Sequence, residues 1–322
     1  DAPDFIEATV YDREQAVIMK GEFAEPSTAE QKSRINALGR WYKPWFYTHV
    51  REFLDLPPGQ EGEEYIPLRH YLLRHNRSIC WVVEHMIPGG NHPLFRALLG
   101  WMMPPKIAFL KFSTTPAVRK MTFTMQVFQD ITLPMSAMAD AVNKSDELFD
   151  MYPVLLYPCR IYDRGPGTGQ LRHPAADDRV PGTDHAMYFD LGVYGVPGPI
   201  QRGEKFKTVH AMREMEAFTQ SVRGFPFLYA DTFMTREEFE EMFDLSLYKR
   251  VREQYDANGA FPDLYDKIKP EVDVLAVLEE EDAWDDAPPQ AAETRADGQV
   301  IVGPWKRLEK LRKRFGLSLI HI

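Results

Sequence analysis

The sequence predicts an α+β protein built on an antiparallel sheet, and three observations carry this prediction. Two β-rich runs near the start, Phe5–Tyr11 and Ala16–Phe23, are separated by four polar residues and indicate a hairpin. A later run, Met187–Tyr194, alternates apolar and polar side chains, as a half-buried strand does. Phe206–Val222 then places its apolar residues on one helical stripe. Strands and helices that follow no regular βα alternation favour the α+β class.

The remaining elements fit the same layer. Pro153–Tyr162 and Phe225–Asp231 are expected to be strands, whereas the insertion before them, including Val118–Leu133, is expected to be helical or mixed. Thr235-Arg-Glu-Glu238 is a capping box that predicts the start of a helix, and Met234 supplies its hydrophobic staple.

Composition excludes several functional classes. The chain has 322 residues, 44% of them apolar, so it is globular, and its formal net charge of -10 argues against general nucleic-acid binding. Cys80 and Cys159 are too few for a disulfide framework. The sequence has no HExxH pair and no clustered Cys and His, so no metal site is expected.

Charge divides the chain into three parts. Residues 1–270 form the folded body, and residues 271–303 are expected to be a disordered acidic linker because 271–299 carry a net charge of -9. Residues 304–322 form a basic tail with an amphipathic helix over Trp305–Phe315, which suits an acidic membrane, a calmodulin-like groove or the linker itself. The last six residues are expected to be an artefactual end.

The segment Pro93–Phe112 is the most apolar stretch of the chain. Its length is near that of a membrane-spanning helix, but three basic residues and Pro104-Pro105 argue against one. Aromatic and Met side chains flanked by bases suit a segment that dips into one leaflet. The alternative is an insertion that packs on its own domain.

The polar face of the Met187–Tyr194 strand holds the first candidate site. Tyr188, Asp190 and Tyr194 project from one side of the strand, and Gly192 leaves room for a close approach. An Asp in apolar surroundings retains its proton near neutral pH because burial disfavours the charged form. The alternative is that this face meets another domain and its polar groups only satisfy partners there.

Two other sets of residues are candidates. Tyr229 and Asp231 follow a predicted strand just before the capped helix, where function often resides, although Asp231 could also cap the turn. Tyr157 and Arg160 lie on the Pro153–Tyr162 strand and point to opposite faces, so at most one of them faces a pocket. Cys159 shares the face of Tyr157 and is expected to be packed rather than reactive.

A cluster of basic residues follows the first part of the insertion. Its members Arg69, His70, Arg74, His75 and Arg77 suit an anionic partner such as a cofactor phosphate or a lipid headgroup. The alternative is a solvated face paired with the acidic residues of 61–64.

Several long runs, in order along the chain, resemble one family, the delta(24)-sterol reductases. The similarity covers roughly residues 5–269. The runs are Trp41–Phe46, Tyr65–Tyr71, Arg74–Ile79, Gly100–Ile107, Tyr188–Gly195, Leu228–Phe239, Glu241–Asp244 and Phe261–Ile268.

This resemblance implies a two-domain flavoprotein of the vanillyl-alcohol-oxidase type. An N-terminal domain would bind FAD, and residues 1–270 would hold its end and the antiparallel-sheet cap domain with a helical, membrane-associating insertion. The family reduces the side-chain double bond of sterols with NADPH at the endoplasmic reticulum membrane. Without most of the FAD domain, the chain alone is expected to be inactive.

The expected reaction gives the candidate residues their roles. An isolated alkene has no carbonyl to polarise it, so hydride addition needs a well-placed acid and an apolar pocket. The predicted catalytic residues are Asp190, Tyr194, Tyr229 and Asp231. The predicted cofactor-binding residues are Arg69, His70, Arg74 and Arg77, and the predicted substrate-binding residues are Tyr157, Arg160 and Tyr188.

Two other functions are compatible with these features. One is a related FAD-linked oxidase that acts on alcohols or polyols. The other is a non-catalytic module that binds a membrane or a partner.

Overall fold

The computed structural model describes residues 3–57, 59–76, 89–103 and 123–283. Within these ranges the chain forms a six-stranded sheet in the order β2-β1-β4-β5-β3-β6, and every neighbouring pair is antiparallel. The strands are β1 (Phe5–Val10), β2 (Ala16–Gly21), β3 (Val127–Pro134), β4 (Val154–Tyr162), β5 (His185–Gly195) and β6 (Phe225–Pro226).

Helices fill the connections between the strands. The α-helices of the described ranges are α1 (Ala29–Ser33), α2 (Phe46–Arg51), α3 (Leu68–Leu72), α4 (Pro93–Leu99), α5 (Met138–Phe149), α6 (Gly198–Gln201), α7 (Thr208–Ser221), α8 (Arg236–Met242), α9 (Ser246–Gln254), α10 (Leu264–Ile268) and α11 (Val274–Asp282). Short 3-10 turns extend α2 and α4 and precede α5. The α+β class predicted from the sequence is confirmed.

The long strand β5 divides the molecule into a core face and a second face. Phe189, Leu191 and Val193 are fully buried on the core face, where α5 and α7 pack against the sheet. Tyr188, Asp190 and Tyr194 lie on the second face, as the predicted alternation requires.

Residues before β3 cover part of the second face. Trp45, Phe46 and Val50 from α2 and its approach form a separate apolar cluster with Tyr11 and Leu155. Because Leu155 pairs with Gly192 of β5, this cluster lies next to the polar side chains of β5 on the second face. The β1–β4 part of the second face is therefore packed.

Most elements lie where the sequence predicted them. The hairpin β1–β2, strand β4, strand β5 and helix α7 are confirmed. The capping box is confirmed as well, since the Thr235 side chain accepts the Glu238 backbone N–H and the Glu238 side chain accepts the Thr235 N–H.

The sequence did not identify β3, since Val118–Leu133 was expected to be helical or mixed, whereas residues 127–133 belong to this inner strand of the sheet. Its sequence carries polar residues on both faces, with Gln129 buried on the core face and Asp130 on the second face. Such a strand lacks the clean alternation that marks a half-buried strand. The strand predicted over Phe225–Asp231 is also shorter, because β6 pairs only through Phe225 and Pro226.

The prediction of a disordered linker from residue 271 was wrong for its first part, where α11 forms. Val277 is buried, and Asp273 caps the helix by accepting two backbone N–H groups. Apolar residues at 274, 277 and 278 pack on the core although the segment is acidic. The remainder of the linker and the basic tail lie outside the described residues, and the three-part division stays a prediction.

Glu281 of α11 ties this helix to the start of α7. The N-cap position of α7 is Lys207, which offers no side-chain cap. Instead the fully buried Glu281 accepts the backbone N–H groups of Val209 and His210, at 3.0 and 3.1 Å, and His210 Nδ1 at 2.8 Å. A carboxylate at this position satisfies orphan donors and suits the positive end of the helix.

The first part of the predicted membrane-dipping segment is described, and it exposes apolar side chains. Helix α4 and its 3-10 turn leave Leu94, Leu98 and Trp101 between 61% and 71% exposed. Among the described residues, no helix combines the length and apolarity that crossing a membrane requires. Residues 104–112 of the segment lie outside the described ranges.

Replacing Glu281 by Ala is expected to lower the free energy of unfolding by about 1–3 kcal/mol, because two buried backbone donors lose their acceptor. Urea unfolding followed by circular dichroism measures this change. Glu279→Ala, at an exposed position of the same helix, is the matched control and is expected to shift stability by less than about 0.5 kcal/mol. Equal losses in the two variants would mean that helix propensity, not the cap, is responsible.

Candidate active site

Two carboxyl groups lie side by side on the second face of the sheet. In the β3–β5 ladder Asp130 pairs with Gly192 and Thr132 pairs with Asp190, so the two acids occupy adjacent diagonal positions. Gly192 is what allows this arrangement: a Cβ there would lie 2.9 Å from the Tyr194 ring and 3.1 Å from Asp130 Oδ1. We call Asp130, Thr132, Asp190, Tyr194 and Tyr229 the acid cluster.

Burial changes the ionisation of the acid cluster. Loss of solvent and, to a lesser extent, the nearby charge of Asp130 together raise the pKa of Asp190 to about 8. Burial also raises the pKa of Asp130, against the opposing effect of its hydrogen bond from Tyr194. Two carboxyls this close do not both ionise readily. At neutral pH the pair therefore retains one proton, held mainly by Asp190.

A chain of hydroxyl groups connects the acid cluster to the surface. The Tyr194 hydroxyl donates a hydrogen bond to Asp130 Oδ1, and Tyr194 Oη lies 2.9 Å from Tyr229 Oη. Since the Tyr194 hydrogen is directed to Asp130, Tyr229 donates to Tyr194. Tyr229 is 65% exposed. The chain thus links Asp130 to a hydroxyl group at the surface.

Two polar atoms of the acid cluster are buried without a hydrogen-bond partner. They are Asp190 Oδ1 and Thr132 Oγ1, on residues that pair directly across the β3–β5 ladder. A buried polar atom without a partner costs about 1–3 kcal/mol. Such atoms indicate a face that is completed by a ligand or by another part of the protein.

The predicted substrate-binding residues do not form one group. Tyr157 pairs with Asp190 and lies beside the acid cluster on the second face, and the buried Tyr188 lies on the same face against Phe225. Arg160 is exposed on the opposite face and lines a cavity of about 250 Å³ with Arg164 and other residues of 161–173. The expectation that Tyr157 and Arg160 point apart is confirmed. Cys159 is half-buried, and burial raises the pKa of its thiol.

Arg74 is held in a buried ion pair. Its Nη2 donates to Glu7 Oε2 at 2.7 Å, Tyr71 donates to Glu7 Oε1 at 2.9 Å, and the guanidinium lies 4.1 Å from the Tyr71 ring centre. The two charged side chains are 12% and 2% exposed. Beside them His75 Nε2 shares a 3.0 Å hydrogen bond with Tyr157, and burial lowers the pKa of His75 to about 4.

This ion pair bears on the predicted anion-binding cluster. Arg74 is committed to Glu7 and not to the acids of 61–64, so its geometry does not favour a phosphate contact. Arg69 is exposed, and the His70 ring packs against Gly39. Arg77 lies outside the described residues. The cofactor-binding role of the cluster stays a prediction.

Of the four predicted catalytic residues, the structure brings three together. Asp190, Tyr194 and Tyr229 belong to the acid cluster, whereas the half-buried Asp231 follows the turn at 228–230 and takes no part in the two hydrogen bonds of the tyrosine chain. Thr235, not Asp231, caps the next helix.

Asp130 and Thr132 are the residues of the acid cluster that sequence reasoning missed. Both lie on β3, which the sequence did not identify as a strand. The signal available was the period-two spacing of Phe128, Asp130 and Thr132, which places them on one face once a strand is assumed.

Comparison with known proteins identifies relatives of one kind. The chain is 43% identical to the delta(24)-sterol reductase of Mus musculus over 264 residues, which is 82% of this chain and 48% of that protein. The Homo sapiens protein of the same name is 42% identical over the same shares, and that of Arabidopsis thaliana is 36% identical over 83% of this chain and 48% of its own. The chain is a homologue of the delta(24)-sterol reductases. No family model and no solved structure matches it.

The resemblance seen in the sequence runs is therefore confirmed. The chain spans about half the length of the delta(24)-sterol reductases that it matches. These relatives are named as reductases, which are oxidoreductases, and are found in animals and plants.

Asp190→Asn is expected to flatten the dependence of stability on pH. Between about pH 4 and pH 8 the native Asp190 keeps a proton that the unfolded chain releases, so the free energy of unfolding falls as pH rises through this window. Asn cannot ionise and removes this part of the fall. Urea unfolding at several pH values measures it.

The matched control for this experiment is Asp184→Asn at an exposed position of the same hairpin. It is expected to leave the slope of the wild type in place. A slope for Asp190→Asn that matches the wild type would show that Asp190 ionises normally.

Arg74→Met is expected to lower the free energy of unfolding by about 3–5 kcal/mol, because it leaves the Glu7 carboxylate buried without its partner. Arg69→Met, at an exposed neighbouring position, is expected to cost less than about 0.5 kcal/mol. A double-mutant cycle with Glu7→Gln isolates the pair: the double variant should lose less than the sum of the two single losses. Additive losses would contradict a direct ion pair.

Proposed function

We propose that this chain forms the substrate-side part of a reductase that adds hydrogen to the side-chain double bond of sterols, with FAD as cofactor and NADPH as reductant. The observation that carries this proposal is the acid cluster: a carboxyl group that holds its proton at neutral pH, beside buried polar atoms without partners. The names of the relatives, delta(24)-sterol reductases, supply the substrate class. The sheet would then be the cap domain of an FAD-linked oxidoreductase.

The second face fits a flavin in one respect. The unpartnered Asp190 Oδ1 and Thr132 Oγ1 offer an acceptor and a hydroxyl group to the polar edge of a planar ring. Gly192 has no side chain that would block a ring from approaching the strand. Arg69 and His70 remain candidates for the cofactor phosphates, whereas Arg74 is occupied by Glu7. When bound, the cofactor supplies the hydride.

The acid cluster supplies the proton. An isolated alkene accepts a hydride only if its other carbon gains a proton in step with it. Protonated Asp190 would donate its hydrogen to the less substituted carbon and become a carboxylate, so the added hydride and proton together saturate the bond. A proton from solvent would then pass through Tyr229, Tyr194 and Asp130 to restore Asp190.

We also propose that the protein works at a membrane surface, at the endoplasmic reticulum. The exposed apolar side chains of α4 and its 3-10 turn support this proposal, because they form a patch on a segment that also carries bases. A sterol is delivered more readily from a bilayer than from water. The apolar pocket expected for it stays a prediction, since the cavity beside Arg160 is not lined by the acid cluster.

A chimeric protein that contains this chain tests the reductase proposal. Residues 1–283 would replace the aligned segment of the mouse delta(24)-sterol reductase, and the product of a sterol with a side-chain double bond would be measured by mass spectrometry with FAD and NADPH. Reduction is expected in the chimera. Asp190→Asn is expected to lower turnover by about 10²–10⁴-fold through loss of the proton donor.

Asp184→Asn serves as the charge-matched control and is expected to keep full turnover. A chimera that binds flavin but leaves the sterol unchanged would contradict the proposal. Oxidation of a polyol by the same chimera would instead support the alternative oxidase.

A further inference from the structure

A second polar cavity lies behind α4, apart from the acid cluster. Its volume is about 450 Å³, within the range of small-molecule sites. Its lining comes from three separate parts of the chain: the loop before α2, α2 with its 3-10 turn, and the α4 region. The lining residues are Asn36, Lys43, Pro44, Thr48, His49, Glu52, Asn91 and Arg96.

Arg96 gives this cavity its chemical character. The Nε and Nη1 atoms of its guanidinium are buried and have no hydrogen-bond partner. Burial lowers the pKa of Arg96, although the charge of Glu52 acts in the opposite direction. Buried guanidinium donors without acceptors are costly, and a bidentate anion is the partner that their geometry fits best.

The acidic residues near the cavity are engaged with His49. Glu64 lies 2.9 Å from His49 Nε2 and also accepts from Asn36 Nδ2, and Glu52 lies 3.3 Å from His49 Nδ1. These contacts raise the pKa of His49, the hydrogen bond to Glu64 most of all. With His49 protonated, the positive charges of His49, Lys43 and Arg96 outnumber the two carboxylates, which favours an anionic occupant.

The remaining polar groups indicate more than a bare ion. Asn91 is fixed by two hydrogen bonds, since its Oδ1 accepts from the Trp45 N–H at 3.0 Å and its Nδ2 donates to Thr48 Oγ1 at 2.9 Å. The buried Asn36 Oδ1 has no donor, which suits a hydroxyl group. The cavity thus offers donors for an anion and an acceptor for a hydroxyl.

We propose that this cavity binds a phosphate monoester on a small hydroxylated body, with Arg96 and Lys43 on the phosphate and Asn36 on a hydroxyl. The position of α4 favours a lipid headgroup as the source, because Arg96 faces the cavity while Leu94, Leu98 and Trp101 of the same segment are exposed. A soluble phosphate ester shares this chemistry. The site is independent of the sterol reduction proposed above, because none of its residues belongs to the acid cluster.

The experiment compares glycerol 3-phosphate with vesicles of phosphatidylcholine that contain phosphatidic acid, using the full chain. Glycerol 3-phosphate is expected to raise the Tm of the wild type, and Arg96→Met is expected to weaken its binding by about tenfold or more. Without ligand, Arg96→Met is expected to keep or raise the Tm, because two unpartnered donors are removed. Arg250→Met, at an exposed position on α9, is the matched control and should bind like the wild type.

The two sources give different results. Vesicle binding that depends on phosphatidic acid and falls in both Arg96→Met and Leu98→Ser identifies a lipid headgroup. Stabilisation by glycerol 3-phosphate without vesicle binding identifies a soluble ester. The proposal is overturned if neither probe stabilises the wild type, or if Arg250→Met weakens binding as much as Arg96→Met. A lower Tm of Arg96→Met without ligand would show that Arg96 serves packing alone.

Discussion

The two-residue period of β5 is the constraint on which the rest of the structure depends. Its eleven residues pair with β4 on one side and β3 on the other, so each side chain is assigned to one of two faces. Phe189, Leu191 and Val193 consequently enter the core, and Tyr188, Asp190 and Tyr194 cannot. A shift of register by one residue would turn the acid into the apolar core and move three large apolar groups to the second face.

Burial on the second face is arranged differently at its two ends. Near β1 the charges are paired: Glu7 and Arg74 neutralise each other, and Tyr71 completes the hydrogen bonding of the carboxylate. Near β3 no basic side chain of the described residues pairs with the carboxyls, and desolvation keeps a proton on the pair instead. One end of the face pairs its buried charges, and the other holds a buried carboxyl group that keeps its proton. A single sheet thus satisfies buried acids in two different ways.

Sequence reasoning succeeded where local pattern and tertiary environment agree. The alternation of Met187–Tyr194 and the capping box at Thr235 depend on neighbours within one turn or one strand, and both are found as predicted. It failed for β3, because Gln129 and Asp130 are tolerated there only through burial and cross-strand contacts that are remote in sequence. The site was therefore only partly predicted. Asp190 and Tyr194 lie on a strand that its alternating pattern predicts, whereas Asp130 lies on a strand that the pattern does not predict. The Glu7–Arg74 pair joins positions 67 residues apart, which no local pattern reveals.

The contact between Glu281 and the start of α7 has a practical consequence for anyone who shortens this protein. Composition places a natural cut near Pro270, where the acidic stretch begins. A chain ending there would lose the acceptor for two amides of α7 and would uncover the apolar surface that Val277 now fills. The helix supporting the core face of β5 would then fray at its first turn. A stable shortened protein must therefore extend through α11, which ends at Asp282. The first part of the acidic stretch belongs to the folded domain and is not a linker.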